Sequence, residues 1–416
     1  MVNKRKIFND PVHGFINIPY PILYDLIEHP YFQRLRRIQQ LGFTNYVYPG
    51  ANHTRFQHAL GAMHLMEQAI AALRSKDQKI TEKESEAVLI AILLHDIGHG
   101  PFSHALEKSI VPDVSHEILS ELFMQELNRQ FSGKLDLAIE IFSNRYPKKF
   151  LYQLVSSQLD MDRLDYLRRD SFYTGVNEGT IGSDRIIKML TVANDELLIE
   201  EKGIYSIEKF LVSRRLMYWQ VYFHKTVISA ENLLVKTLLR VKEISANGTE
   251  VFSTPGLRFF LYPEVEIKSL LKNPDPDKRK ILLDQFASLD DSDITVSAKV
   301  WAGNSDKALA MLSNNLVTRK LYHIEVQNEP FTNKLTDLYT EKTIKYLNID
   351  RSMKDYFVFC GEITNSAYQT GDDQIKILLK SGKIVDITEA SDMFDQRVLS
   401  RTITKHFLCY PKGVIS

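Results

Sequence analysis

The eight residues Ala87–Leu94 carry no polar side chain. A helix that is apolar on every face belongs inside a protein, so this run predicts a central helix with others packed around it. Thr81 and Glu84 precede it with the spacing of a capping box, in which hydroxyl and carboxylate satisfy the first free backbone N–H groups. The run ends on His95 and Asp96, an imidazole and a carboxylate leaving a hydrophobic core side by side. A buried carboxylate there needs a counter-charge, and a metal ion supplies one. Gly98, Gly100 and Pro101 then stop the helix and bend the chain, which turns His99 and His104 back toward the same place. Nine of the twelve histidines lie between His13 and His116. That clustering assigns metal or acid–base chemistry to the N-terminal third.

The rest of the pattern is mainly α. Residues 1–20 read as irregular or β-like. Pro21–Gln40 reads as a helix broken at Pro30. Further helices are predicted over Thr54–Leu73, Ser115–Arg129, Tyr152–Ser171, Ser183–Val192 and Tyr205–Lys242, with a short hairpin near Glu196–Glu201. The character changes after about Asn247. Strand-like runs appear at Ile294–Trp301, Lys320–Val326, Tyr356–Ile363, Ile375–Leu379 and Ile384–Thr388, with a turn at Gly382. The expectation is a helical domain over residues 1–246 and a smaller mixed α+β region over residues 247–416, the latter serving oligomerisation or regulation.

Bulk properties narrow the function. Among 416 residues, 52 basic side chains balance 52 acidic ones, so charge indicates no nucleic-acid partner and no membrane surface. The only cysteines, Cys360 and Cys409, lie outside the histidine-rich stretch. A metal there takes nitrogen and oxygen ligands, and so few thiols suit a reducing compartment. The first residues lack the apolar core of a signal peptide, and Ala87–Leu94 is too short to span a bilayer. These features predict a cytoplasmic protein.

His95 and Asp96 supply two ligands for a divalent metal. His58 lies on the preceding helix, three residues from Arg55 and on the same face. Alone it reads as a hydrogen-bonded core imidazole. A second carboxylate comes from the segment Leu159–Tyr166, where Asp162, Asp165 and Tyr166 share a face and Asp160 precedes them.

The ordered motifs resemble the HD superfamily of metal-dependent phosphohydrolases, in its deoxynucleoside triphosphate triphosphohydrolase branch. The motifs are Asn9–Gly14, Gln33–Arg36, Gln40-Leu41, Tyr48–Ala51, Arg55–His58, His95–His104, His116-Glu117, Asp162–Tyr166 and Tyr222–Lys225. The similarity is strong over residues 4–245, and no SAM-like segment like that of the vertebrate member precedes it. The resemblance implies a helical HD core with His58, His95, Asp96 and Asp162 as ligands of one divalent transition metal: Fe, Mn, Ni, Co or Zn. Mg is implied with the nucleotide. The implied reaction is attack at the α-phosphorus of a dNTP, releasing deoxynucleoside and tripolyphosphate. His116 is the implied acid, oriented by Glu107 where the vertebrate enzyme has Asp, with His99 and His104 beside the phosphates. Arg55, Arg163 and Arg214 match cationic contacts, Gln40, Tyr166 and Asp170 the 3′-hydroxyl region, and Leu41 and Tyr222 the crowded 2′ position. Tyr218 replaces a vertebrate His.

Lys6, Ile7, Glu28, Gln33 and Arg36, with His224 and Lys225, match allosteric nucleotide contacts at subunit interfaces, which implies a homodimer or homotetramer. Glu200 falls where an Arg is aligned. The residues leave two other readings open: hydrolysis of another nucleotide phosphoester, and a nucleic-acid-binding scaffold that performs no chemistry.

Overall fold

Every residue from Ala87 to Leu94 is at most 4% exposed, so the helix Glu82–Leu94 lies where its sequence demands. The computed structural model describes residues 6–102, 104–107, 109, 115–262, 269, 271, 273, 275–366, 368, 374–393 and 402–414. Helices Arg55–Arg74 and Asp136–Phe142 pack on the central helix. On its other side, Arg55–Arg74 meets Met161–Thr174. Gly61 makes that crossing close, since a Cβ there would lie 2.0 Å from Asp165 Oδ1 and 2.2 Å from Arg169 Nη2. Three helices thereby bring their ends to one place.

The chain enters through an antiparallel hairpin of strands Ile7–Asp10 and Gly14–Asn17. The Pro21–Gln40 segment breaks as predicted, into helices Pro21–Glu28 and Pro30–Gln33 and a 3₁₀ turn at Arg34–Arg37. Two expected long helices are interrupted. Tyr152–Ser171 divides into Lys149–Val155 and Met161–Thr174, because Asp160 caps the second piece: its carboxylate accepts the backbone N–H groups of Ser157 (2.8 Å) and Arg163 (2.7 Å). Tyr205–Lys242 divides into Ile204–Met217 and Lys225–Ala246. Between them Tyr218–Tyr222 forms a π turn, closed by Phe223 N–H donating to the Tyr218 carbonyl at 2.8 Å. Such wide turns re-aim side chains and recur at functional sites.

The predicted hairpin near Glu196 exists as strands Leu190–Ala193 and Glu196–Glu200, turned by Asn194 and Asp195, both with positive φ. Glu196–Glu200 also pairs in parallel with Lys376–Leu378, which pairs with Ile384–Asp386. This four-stranded sheet takes two strands from each side of residue 247. A second sheet has the order His323–Gln327, Thr402–Tyr410, Phe359–Ser366, all antiparallel. Ile294–Trp301, expected as a strand, is part of helix Asp291–Trp301. Asp290 and Asp293 form its capping box, and Ile294, Ser297, Ala298 and Trp301 bury a stripe at helical spacing. Among the described residues no helix is long and apolar enough to cross a membrane.

Candidate metal centre and nucleotide cavity

Each metal-ligand candidate stands at a helix end. Thr54 opens the helix Arg55–Arg74 with a capping box to Gln57, which sets Arg55 and His58 in its first turn. His95 is the C-terminal cap of the central helix, and Asp162 lies in the first turn of Met161–Thr174. The loop after Asp96 is pinned to the next helix. Ser120 Oγ accepts the Gly98 N–H at 2.9 Å and donates to the His95 carbonyl at 2.7 Å. A Cβ on Gly98 would lie 2.2 Å from the His116 carbonyl oxygen, so glycine is required for that approach.

The structure brings His58, His95, Asp96 and Asp162 together. Asp162 Oδ1 is 3.1 Å from His58 Nε2 and 3.5 Å from His95 Nε2. Asp96 Oδ1 is 3.4 Å from His95 Nε2, and its Oδ2 is 3.8 Å from His58 Nε2. One ligand atom each from His58, His95 and Asp162 fits within a 4.8 Å span. The other ring nitrogens are committed. His58 Nδ1 lies 2.8 Å from Asp165 Oδ2, and His95 Nδ1 lies 2.6 Å from the Ile92 carbonyl. Those acceptors place the protons on Nδ1 and leave the Nε2 lone pairs facing inward. Both Nε2 atoms are shut off from solvent and have no hydrogen-bond partner among the described residues. Two orphaned imidazole nitrogens aimed at two carboxylates are a donor set for a divalent cation.

The electrostatics agree. Burial works against charge on His58, yet Asp162 and Asp165 outweigh it and raise its pKa to about 10, so the site draws a positive charge to Nε2: a proton while no metal is bound, which a divalent cation would displace. The same contacts hold Asp162 low against its own burial. His99 is the opposite case, since burial and then Arg55 push it down to about 3, so its ring is neutral. Its Nε2 lies 3.2 Å from Asp96 Oδ1, and it stacks on His116 with centroids 3.9 Å apart. His116 thus stands one ring away from the centre. A cavity of about 420 Å³ is lined by His95, Asp96, His116 and Asp162. The side chains of His104 and Glu107 lie outside the described residues.

A second cavity, of about 580 Å³, is lined by Arg55, Gln40, Leu41, Tyr218, Tyr222 and, from the C-terminal sheet, Phe407. Arg55 Nη1 donates to Asp96 Oδ2 at 2.7 Å, so one guanidinium joins this cavity to the centre. Gln40 Oε1 is buried there without a hydrogen-bond partner among the described residues. Tyr222 donates to Asp170 Oδ2 at 2.7 Å and packs against Tyr218 (5.0 Å) and Tyr166 (6.4 Å). Arg214 lies 5.8 Å from the Tyr218 ring centre. Arg163 turns instead to Asp160 and the Ser157 carbonyl.

The residues matched to an allosteric site fall in two places. Lys6 lies over the Tyr24 ring (4.4 Å) and Arg36 over Phe56 (3.6 Å), while Gln33 accepts from Arg36 at 2.8 Å. Ile7 and Glu28 are exposed nearby in sequence. His224 caps the helix Lys225–Ala246, and Lys225 is exposed at its start. Among the described residues no hydrogen bond, ion pair or ring contact joins the two groups.

Sequence reasoning gave no role to three supporting residues, His13, His53 and Arg169, and offered Asp165 only as a candidate second carboxylate. Asp165 takes His58 on one oxygen and His13 Nε2 on the other at 2.6 Å, with Arg169 bridging Asp165 to Asp10. His53 Nε2 holds Asp170 at 2.8 Å. The signal for Asp165 was its shared face with Asp162; none marked His13, His53 or Arg169.

The HD domain profile matches residues 55–169, and the HD associated region matches residues 181–253. The uncharacterized protein YwfO of Bacillus subtilis is 33% identical over 432 residues, covering 100% of this chain and 94% of that one. Human deoxynucleoside triphosphate triphosphohydrolase SAMHD1 is 30% identical over 286 residues, 58% of this chain and 45% of its own length. A crystal structure of a phosphohydrolase from Bacteroides thetaiotaomicron superposes with a TM-score of 0.93 at 53% identity, covering 98% of this chain and all of that one.

Proposed function

The chain belongs to the HD-domain family of phosphohydrolases, and from that premise we propose that it hydrolyses deoxynucleoside triphosphates to deoxynucleoside and inorganic tripolyphosphate. The observation that carries the hydrolytic reading is the pair of orphaned Nε2 atoms of His58 and His95, buried against Asp96 and Asp162. The triphosphate reading draws on the relatives named as deoxynucleoside triphosphate triphosphohydrolases. These four residues would hold one divalent transition metal, whose Lewis acidity acidifies water and withdraws charge from a phosphoryl oxygen.

The chain's own groups do the rest. Water oxygen bonds to the α-phosphorus as the bond from phosphorus to the 5′-oxygen breaks. The departing oxygen takes a proton from His116, which neutral His99 supports by stacking. Arg55 faces both the centre and the cavity, and with Arg214 it supplies positive charge to the triphosphate, which arrives with Mg; Arg163 joins them only by releasing Asp160 and the Ser157 carbonyl. Gln40, Tyr166 and Asp170 hold the sugar at its 3′-hydroxyl. Tyr222, fixed by its bond to Asp170, crowds the 2′ position together with Leu41, which disfavours ribose. The Lys6, Ile7, Glu28, Gln33 and Arg36 surface and the His224–Lys225 pair bind an activating nucleotide between subunits of a homo-oligomer.

The test is a metal-loaded protein offered the four dNTPs and four rNTPs, with tripolyphosphate, pyrophosphate and orthophosphate separated. Tripolyphosphate from dNTPs is expected, lost on chelation and in Asp96→Asn. Orthophosphate or pyrophosphate as the primary product, or rNTPs cleaved as readily as dNTPs, would move the chain to another phosphoester.

A further inference from the structure

Phe102 stands in the left-handed region, at φ 46°, where a residue with a side chain is strained. Such a conformation persists only where its surroundings hold it. The Phe102 ring stacks on Phe43 with centroids 4.6 Å apart and planes 19° from parallel. Its N–H donates to Asp291 Oδ1 at 3.0 Å. The second oxygen of the same carboxylate, Oδ2, accepts the Gln39 N–H at 2.8 Å. Asp291 lies 189 residues beyond Phe102, in the first turn of the helix Asp291–Trp301. Its neighbour Asp290 ion-pairs with Arg37, so the same turn grips the Gln39 loop twice. Burial pushes the Asp291 carboxyl up to about 6, which leaves it ionised at neutral pH. Gln39 and Phe102 both line the cavity that holds Gln40 and Arg55, and Phe102 follows His99 by three residues.

We propose that Asp291 is a positioning residue for the hydrolytic centre. One carboxylate from the C-terminal region clasps the Gln39 and Phe102 amides and fixes the loop carrying Gln40 against the loop carrying His99. The proposal rests on the phosphohydrolase reading of the site, but not on the identity of the nucleotide. Asp291 touches no reacting atom in it; it acts through the left-handed turn at Phe102.

The test uses Asp291→Ala, Asp291→Asn, Phe102→Gly and the double variant D291A/F102G in the full chain. Glycine adopts positive φ without strain, so in that background the turn no longer depends on the clasp to offset strain. Misplacing the loop in Asp291→Ala is expected to lower kcat on the order of 10- to 100-fold, with KM and metal content little changed. Asp291→Asn, which keeps one acceptor, falls between. In the Phe102→Gly background the same alanine substitution costs far less, a coupling that separate roles would not produce. Hydrogen exchange at the Gln39 and Phe102 amides reads the clasp without any substrate, and both lose protection in Asp291→Ala. Unchanged protection, an equal loss of kcat in both backgrounds, or metal lost together with turnover would overturn the proposal. Turnover is measured on dNTPs and on bis(p-nitrophenyl) phosphate. A wild-type chain inert toward dNTPs then counts against the nucleotide reading alone, while exchange still decides the clasp.

Discussion

At the scale of single residues, the centre depends on a carboxylate that is not itself a ligand. Asp165 sits under His58 and fixes its proton on Nδ1, which aims the Nε2 lone pair at Asp162. Partners of this kind typically change metal affinity by about 10- to 100-fold when removed. Asp165→Asn is therefore expected to lower metal affinity by about that factor, measured by titrating metal into the stripped protein. Thermal denaturation run alongside separates this from a loss of fold, because Arg169 keeps its bond to Asp10 at 2.7 Å. Affinity equal to wild type would mean that His58 is oriented by packing alone. The contrast with His95 and Asp96 explains what could be read in advance. Those two follow an all-apolar run, and an ionisable pair leaving a core announces itself. Asp165 and His13 lie 152 residues apart, and their pairing exists only once the N-terminal hairpin is folded onto the helix Met161–Thr174. Phe102 was unreadable for another reason: its strain, about 1–3 kcal/mol for such conformations, is imposed by a partner far along the chain.

At the scale of elements, the Thr81 cap and the break at Pro30 were legible, whereas the caps at Asp160 and Asp290 and the interruption at Tyr218–Tyr222 were not. The Thr81–Glu84 box forms as its spacing predicts: Glu84 Oε2 accepts the Thr81 N–H at 2.8 Å, and Thr81 Oγ1 accepts the Glu84 N–H at 3.2 Å. Tertiary contacts then add to it, for Tyr146 donates to Glu84 Oε1 at 2.6 Å and Lys148 pairs with the same oxygen at 2.8 Å. Burial opposes the Glu84 charge, but Lys148, Tyr146 and Thr81 outweigh it and bring the carboxyl from 4.5 down to about 2. The folded state thus favours the ionised form. Its contribution is complete above the unfolded value of 4.5 and is lost as pH falls from there through about 2. Glu84→Gln is expected to cost about 2 kcal/mol at pH 7, after discounting for the partly exposed Lys148. Urea denaturation of both proteins at pH 7 and pH 3 checks this, and the difference should shrink by more than half at the lower pH. A difference independent of pH would assign the box to hydrogen bonding rather than charge. The misread elements failed for local reasons of the same kind. Asp290 and Asp293 turn an apolar, β-branched run into the helix Asp291–Trp301, and Asp160 cuts a helix that periodicity alone would continue.

At the scale of the whole molecule, the change of character near residue 247 is visible in composition, whereas the joins across it are not. Strand Glu196–Glu200 hydrogen-bonds in parallel with Lys376–Leu378, a pairing that no local pattern encodes. Tyr31 and Arg37 reach Asp284 and Asp290, and Arg240 meets Asp306 at 2.6 Å. Most of the buried apolar residues on both sides of residue 247 belong to one continuous cluster. A boundary crossed by a sheet, by charged clasps and by the core itself cannot open at low cost, because each broken contact exposes apolar surface or strands a buried polar group. The chain is therefore expected to melt in a single calorimetric transition, with calorimetric and van't Hoff enthalpies equal. A fragment of residues 1–246 should keep helical far-ultraviolet dichroism but lose the near-ultraviolet signal of fixed aromatic packing, since strand Lys376–Leu378 and the buried rings of Phe260, Phe286 and Trp301 are gone. Two resolved transitions, or a fragment with native near-ultraviolet dichroism and undiminished metal affinity, would show that the helical part stands alone and that the C-terminal region merely rests on it. The single transition matters for chemistry as well as stability. A centre whose loops are held by the Asp290–Asp291 turn stays assembled only while the two parts of the chain remain one cooperative unit.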